Sequence, residues 1–310
     1  MKKLAVPFLI ILSFFIMLLF PKEVFAGASK GLLLWFEIVL PTLLPFIIIS
    51  NLLVYTNAIT YIARILGPVL KHIFSISENG AFAVVTGFLC GYPMGAKTTS
   101  DLIRTGFISK EEGAYLLSFC NNTSPMFIVS YVIWQNLKRE ELAYISIAIL
   151  FAAPVICSFF FRFYYLRIRK WKFGQTSVRS KPLKMEFGIL DSCIMDGFET
   201  ITKVGGYIIL FSVLITLLGQ IPVNNFFWNQ IFLPMFEITN GIPLICSYGD
   251  SFAVCYILSL ALTSFGGLCS IAQTKCMIQE TGLSITPYIA EKLITAMVTS
   301  LLAAGYMLFF

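Results

Sequence analysis

The sequence is poor in charge and almost without histidine. Of its 310 residues only 12% are Asp, Glu, Lys or Arg, and His72 is the single imidazole. Soluble domains carry about twice that share of charge. A water-soluble fold that is 58% hydrophobic would expose large apolar patches and aggregate, so an all-α polytopic membrane protein is expected. Also missing is any Cys-x-x-Cys pair. Cys90, Cys120, Cys157, Cys193, Cys246, Cys255, Cys269 and Cys276 are scattered, mostly through apolar runs. Without clustered thiolates and imidazoles no metal site is expected, and the cysteines read as small buried apolar side chains with no disulfide pattern. There is no G-x-S-x-G, no H-E-x-x-H, no P-loop and no usable Ser/His/Asp set, so neither an enzyme nor a cofactor is expected. The net charge of +6 is concentrated in one loop and not on an aromatic-interleaved face, which argues against nucleic acid as a partner.

What is present is apolar length. Segments able to cross a core about 30 Å thick run over 4–20, 32–56, 110–136, 142–165, 203–219 and 286–310, giving about six transmembrane helices. The first belongs to an N-terminal unit, 1–26, whose Val24-Phe25-Ala26 reads as a signal-peptidase site; an uncleaved span is the preferred reading. "YIARILGPVLKHIF" has the pattern of an interfacial amphipathic helix, and Ser109 with the acids after it reads as a helix start. Two segments behave differently. Residues 79–105 and 250–281 each read as half-helix, break, half-helix, and halves of eleven or twelve residues reach only about 16–18 Å. Re-entrant hairpins are expected there, because irregular backbone at membrane depth survives only against protein or a water-filled cavity.

The loop at 166–187 carries seven Lys/Arg and no acid between 166 and 184, which makes it cytoplasmic. Lys2 and Lys3 place the N-terminus on the same side. Counting crossings then puts hairpin 79–105 on the cytoplasmic side, hairpin 250–281 on the other, and the C-terminus in the cytoplasm.

Self-similarity supports two units, 27–165 and 188–310. At a shift of 176, Gly91, Ala96, Thr98, Thr105 and Gly106 meet Gly267, Ala272, Thr274, Thr281 and Gly282. At a shift of 162, Phe36-Glu37 meets Phe198-Glu199, and Ile47, Ser50 and Leu52 meet Ile209, Ser212 and Leu214. The partner spans run in opposite directions, so the repeat is inverted, an architecture of transporters with a site near the midplane.

Candidate site residues follow from the breaks. In "GYPMGAK", Gly91 allows a tight turn, Tyr92 and Pro93 form the tip, and Lys97 sits in the first turn of the next half-helix, where free amides attract polar oxygens. In "SFGGLCSIAQT", Gly266 and Gly267 supply the break, and Gln273 takes the place of Lys97, offering both a donor and an acceptor. Asn121, Asn122, Thr123 and Ser124 interrupt 110–136 with four polar side chains at depth, where such groups line a cavity or hold helices together. Glu37 and Glu199 are candidates for sodium or proton coupling, or interfacial anchors.

"GFLCGYPMGAKTTSDL", "FCNNTSPMF" and "SFGGLCSIAQ" together resemble the YlbJ-type sporulation integral membrane proteins of endospore-forming bacteria, within the wider nucleoside-recognition, or Gate, group. The resemblance runs from about "LLLWFEIVLPTLLPF" to the C-terminus. It implies a transporter-like hairpin fold in the cell membrane with the site between hairpin tips. It does not fix a substrate, and it is compatible with a homo-oligomer. The expected function is movement or binding of a small polar solute, nucleoside-like as a first guess, linked to sporulation. The rival is a non-transporting scaffold for spore envelope (cortex or coat) formation.

Overall fold

A computed structural model describes residues 2–167, 187–223, 225–249 and 251–309. Nearly all of these are helical, and no strand occurs among them. Most of the basic loop expected at 166–187 lies outside the described residues. Among the described residues, five helices are long and apolar enough to cross a membrane: Pro21–Tyr55, Glu140–Arg167, Gly188–Leu218, Phe252–Thr281 and Ile285–Phe309.

After α1 (Lys2–Leu19), the first long rod starts at Pro21, whose fixed φ and missing N–H suit a first helical position. It comprises α2 (Pro21–Leu34), a wider π-type turn at Trp35–Val39, and α3 (Leu40–Tyr55). It therefore begins well before the expected 32–56. It packs along α9 (Phe187–Leu218), itself longer than the expected 203–219. The close approach depends on two glycines one turn apart: a methyl group on Gly31 would lie 2.8 Å from the Ile209 backbone, and one on Gly27 2.9 Å from that of Val213. The amphipathic α4 (Ile59–Phe74) follows as expected, burying Ile59 and exposing Tyr61, Ile65 and Val69.

The first folded-back pair is also as expected. α5 (Gly80–Leu89) and α6 (Met94–Arg104) lie side by side, with Thr86 donating to Thr98 across them at 3.1 Å. α7 (Lys110–Cys120) begins at a Ser109 cap that accepts from the Glu112 N–H at 3.1 Å. The backbone leaves the helix at Asn121 and resumes as the π-type stretch Phe127–Leu137, so 110–137 is one broken span. α8 (Ala143–Arg167) completes the first half.

The second half corrects the sequence reading. Residues 250–281 do not form a re-entrant hairpin. α11 (Phe252–Phe265) and α12 (Gly267–Ile278) meet at the single residue Gly266 and do not pack along one another. One residue is too short a link to reverse a helix; an antiparallel pair needs two to five. The two ends pack at opposite ends of the broken span 110–137. Phe252 lies under the Arg139 guanidinium, 4.9 Å away, at the far end of the broken span 110–137. Glu280 pairs with Arg104 at 3.2 Å, next to where α7 starts. Residues 252–280 thus run opposite to 110–137.

A different segment folds back, one to which the sequence assigned no element. The π-type turn Phe227–Phe232 and the 3-10 turn Pro234–Phe236 run into a bend at Glu237, and α10 (Ile238–Ser247) returns beside them. Gln230 donates across this pair to the Ile245 carbonyl at 3.3 Å. The two halves then share one order of parts: a folded-back pair, a broken span, and a helix of 25 residues, α8 in the first and α13 (Ile285–Phe309) in the second.

Candidate functional site

Both folded-back tips and both breaks converge. Tip 1 is held by Tyr92, whose hydroxyl donates to the Ser264 carbonyl at 2.8 Å, at the end of α11. Break 1 reaches the same turn through Thr123, which donates to the Thr263 carbonyl at 2.8 Å. Tip 2 touches break 2, since a methyl group on Gly267 would lie 3.1 Å from the Met235 carbonyl and 3.4 Å from Glu237. Gly266 has φ +84, a left-handed conformation natural to glycine, and a Cβ there would strike the Tyr92 ring at 2.9 Å. Gly91, at φ +91, similarly abuts the backbone of Ser124.

These elements border a partly open cavity of about 110 Å³. Gly91, Tyr92, Thr123, Ser124, Gly266 and Gln273, all expected from sequence, line it. Apolar walls come from α3 through Leu43 and from α9 through Val204 and Ile208. Gln273 spends one amide hydrogen on the Cys269 sulfur at 3.3 Å.

The other expected residues stand behind this lining. Pro93 closes the tip ahead of α6, joined to Tyr92 by a cis peptide. Asn121 ties the halves together: its oxygen accepts from the Ala96 N–H at 3.2 Å, and its amide donates to Thr274 and Tyr288 at 2.9 Å each. Asn122 donates to the Phe119 carbonyl at 2.7 Å. Lys97 does not reach the cavity. It pairs with Asp101 at 2.9 Å and Asp196 at 3.0 Å, and Asn51 donates to the same Asp196 oxygen at 2.6 Å. Glu37 and Glu199 are exposed on helix surfaces, the latter 2.6 Å from Lys203, and neither lines the cavity.

Residues 36–168 match a family model described as Gate, nucleoside recognition. This stretch is similar to that family. Most of the chain is also similar to the sporulation integral membrane protein YlbJ of Bacillus subtilis (strain 168), 28% identical over 92% of this chain and 79% of that protein. No solved structure matches it significantly.

The matched stretch supplies tip 1 and break 1, and the rest of the lining, from Val204 to Gln273, comes from beyond it. Two charged residues there were missed. Glu237, only 2% exposed, forms the bend of the second pair and lines the cavity. Its carboxylate accepts from the backbone N–H groups of Thr239 and Asn240 at 3.0 and 2.8 Å and from their side chains at 2.6 and 2.7 Å. Lys292, 2% exposed on α13, donates to the Asn121 carbonyl at 3.2 Å and to the Asn122 side chain at 3.4 Å. Its ammonium lies 5.0 Å from the centre of the Tyr92 ring, a cation–π contact, so it touches both break 1 and tip 1. The signal for Lys292 was readable, since a charge inside an apolar span is costly and functional by default. Glu237 gave no such signal, because no apolar span surrounds it.

Proposed function

We propose that this Gate-containing membrane protein binds a small polar solute in the central cavity, with nucleosides as the first class, and moves it across the plasma membrane. The observation that carries the reading is the meeting of both tips and both breaks around one cavity edged by Tyr92, Thr123, Ser124, Glu237, Gly266 and Gln273. Backbone freed at two breaks, with hydroxyl, amide and carboxylate groups beside it, matches a heterocycle or a ribose in hydrogen-bonding capacity. The opposed directions of 110–137 and 252–280 support an inverted repeat whose halves rock about the site. The buried Glu237 and Lys292 replace Glu37 and Glu199 as candidates for coupling to protons or sodium. No chemical step is part of this reading.

With the basic loop in the cytoplasm, a full crossing by 252–281 carries the C-terminus to the outer face, reversing the sequence expectation. The functional test is equilibrium binding of a panel of nucleosides and free bases to purified protein, followed by uptake into proteoliposomes. Binding lost in Gln273→Ala supports the proposal, and silence across the panel rejects the substrate class.

The scaffold reading is favoured by the name of the relative, a sporulation protein, and by the apolar share of the cavity wall. A deletion strain complemented with the Ser124→Ala, Gln273→Ala double variant separates the two. Full rescue of spore envelope formation shows that the polar lining is not the working part.

A further inference from the structure

The sequence gives no hint of a cysteine pair, yet the fold makes one. Cys246 is next to last in α10, and Cys255 lies in the first turn of α11. Folding the second pair back beside α11 brings their sulfurs to 3.2 Å, with the Ser259 hydroxyl 3.9 Å from Cys246. Both residues are only half-buried, whereas Cys120, Cys157, Cys193 and Cys269 are enclosed. The two flank the short connection 248–251, at the end of the molecule where Arg139 covers Phe252. At 1.5 Å per residue, Cys255 lies within about 5 Å of the start of its helix, a depth open to the membrane–water interface.

We propose that Cys246 and Cys255 are a disulfide site on the non-cytoplasmic face of the membrane. The pairing rests on distance and exposure alone; the face rests on the crossing order given under Proposed function. A disulfide carrier of the outer face, or oxidised glutathione in a purified sample, supplies the oxidation. One cysteine thiolate attacks the carrier disulfide, forming a mixed disulfide and releasing one carrier thiolate. The second cysteine thiolate then attacks the protein sulfur of that mixed disulfide and expels the other carrier sulfur. The two cysteines lose two protons and two electrons, and the carrier leaves as a dithiol. Compartments that sustain disulfides lie outside the reducing cytosol, so the crossing order and the chemistry agree.

The bond has a structural consequence. It fastens the returning arm of the second folded-back pair to the entering arm of the broken span. Glu237 at the far end of one arm and Gly266 at the far end of the other then shift as a unit, which restricts how tip 2 parts from break 2.

The test is peptide mass spectrometry on full-length protein, with free thiols alkylated before membranes are opened and chymotrypsin used to cut at Tyr248 and Phe252. A cross-link between the two peptides in protein from intact cells, absent in Cys246→Ser and in Cys255→Ser, supports the proposal. The same linkage formed quantitatively in purified wild-type protein by millimolar oxidised glutathione supports the pairing by itself. Two free thiols in the purified protein after that treatment overturn the pairing. A link formed in the purified protein but reduced in cells overturns the assignment to the outer face; it leaves solute binding untested and so does not bear on the site.

Discussion

The glycine with the least room for a side chain in the first half is Gly87. Gly87, on α5, faces the carbonyl oxygen of Cys120, the last residue of α7, so closely that an added methyl carbon would sit 1.7 Å from it. Carbon and carbonyl oxygen rest comfortably at about 3.3 Å, so Gly87→Ala requires a retreat of about 1.5 Å. The obstacle is backbone and cannot rotate away. Nor can the pair slide as a body, because Gly95 on α6 presses the same carbonyl, with its own methyl position at 2.5 Å. Overpacking of this kind costs about 1–3 kcal/mol, and a rigid obstacle puts it near the upper end. Alanine recovers about 1 kcal/mol of helix propensity, leaving a net loss of about 2 kcal/mol. Gly206→Ala is the matched control: it sits in the exposed part of α9 with nothing within 4 Å, so it gains the propensity and meets no obstacle. The two substitutions, identical in chemistry, should differ by about 3 kcal/mol, which is several degrees in thermal unfolding measured in one detergent. Gly87→Ala melting alongside wild type would refute the claim that glycines set the distance between hairpin 1 and the break.

Three further outcomes follow from the site. Glu237→Ala strips the acceptor from two buried N–H groups at the start of α10 and should cost about 2 kcal/mol, whereas Glu237→Gln keeps one acceptor oxygen and should cost less than half of that, read by denaturation in detergent. Lys292→Met replaces a buried cation that has no carboxylate partner among its hydrogen bonds by an apolar side chain of similar length; stability should stay within about 1 kcal/mol of wild type while solute binding changes, and wild-type binding by this variant counts against a role for the ammonium. Tyr92→Phe removes the bond to the Ser264 carbonyl and should cost about 1 kcal/mol and loosen tip 1, detected as faster alkylation of Cys90 in the same tip region.

Much of the first half could be read from the chain because its signals are local. Ser109 followed by acids is a helix start in any context, and four polar residues before Pro125 interrupt an apolar run wherever it lies. The glycine and proline of the first tip come with connecting residues enough to turn the chain. Lys97 lies outside the lining for a reason that is not local. A lysine near a break looks like a ligand group, but its partners, Asp101 one turn on and Asp196 on α9, are chosen by packing between distant segments. The same holds for Glu237, whose four donors are local while its place at the cavity depends on Gly267, thirty residues further on.

The misread hairpin has a specific cause. The shift of 162 aligns α3 with α9, two helices that pack against each other. Past that point the first half contains α4, sixteen residues long, and the second half has no equivalent among its described residues. In two copies of one unit, an extra element in the earlier would reduce the shift downstream, here to roughly 145, the separation of Tyr92 and Glu237. A shift of 176 runs the other way. It matched the glycines of a tip to the glycines of a break, because both jobs, turning a chain tightly and admitting a neighbouring backbone, select glycine. Glycine spacing alone therefore cannot separate a hairpin from a broken span. The number of residues between the half-helices can: positions 90–93 leave room to reverse, and Gly266 alone does not.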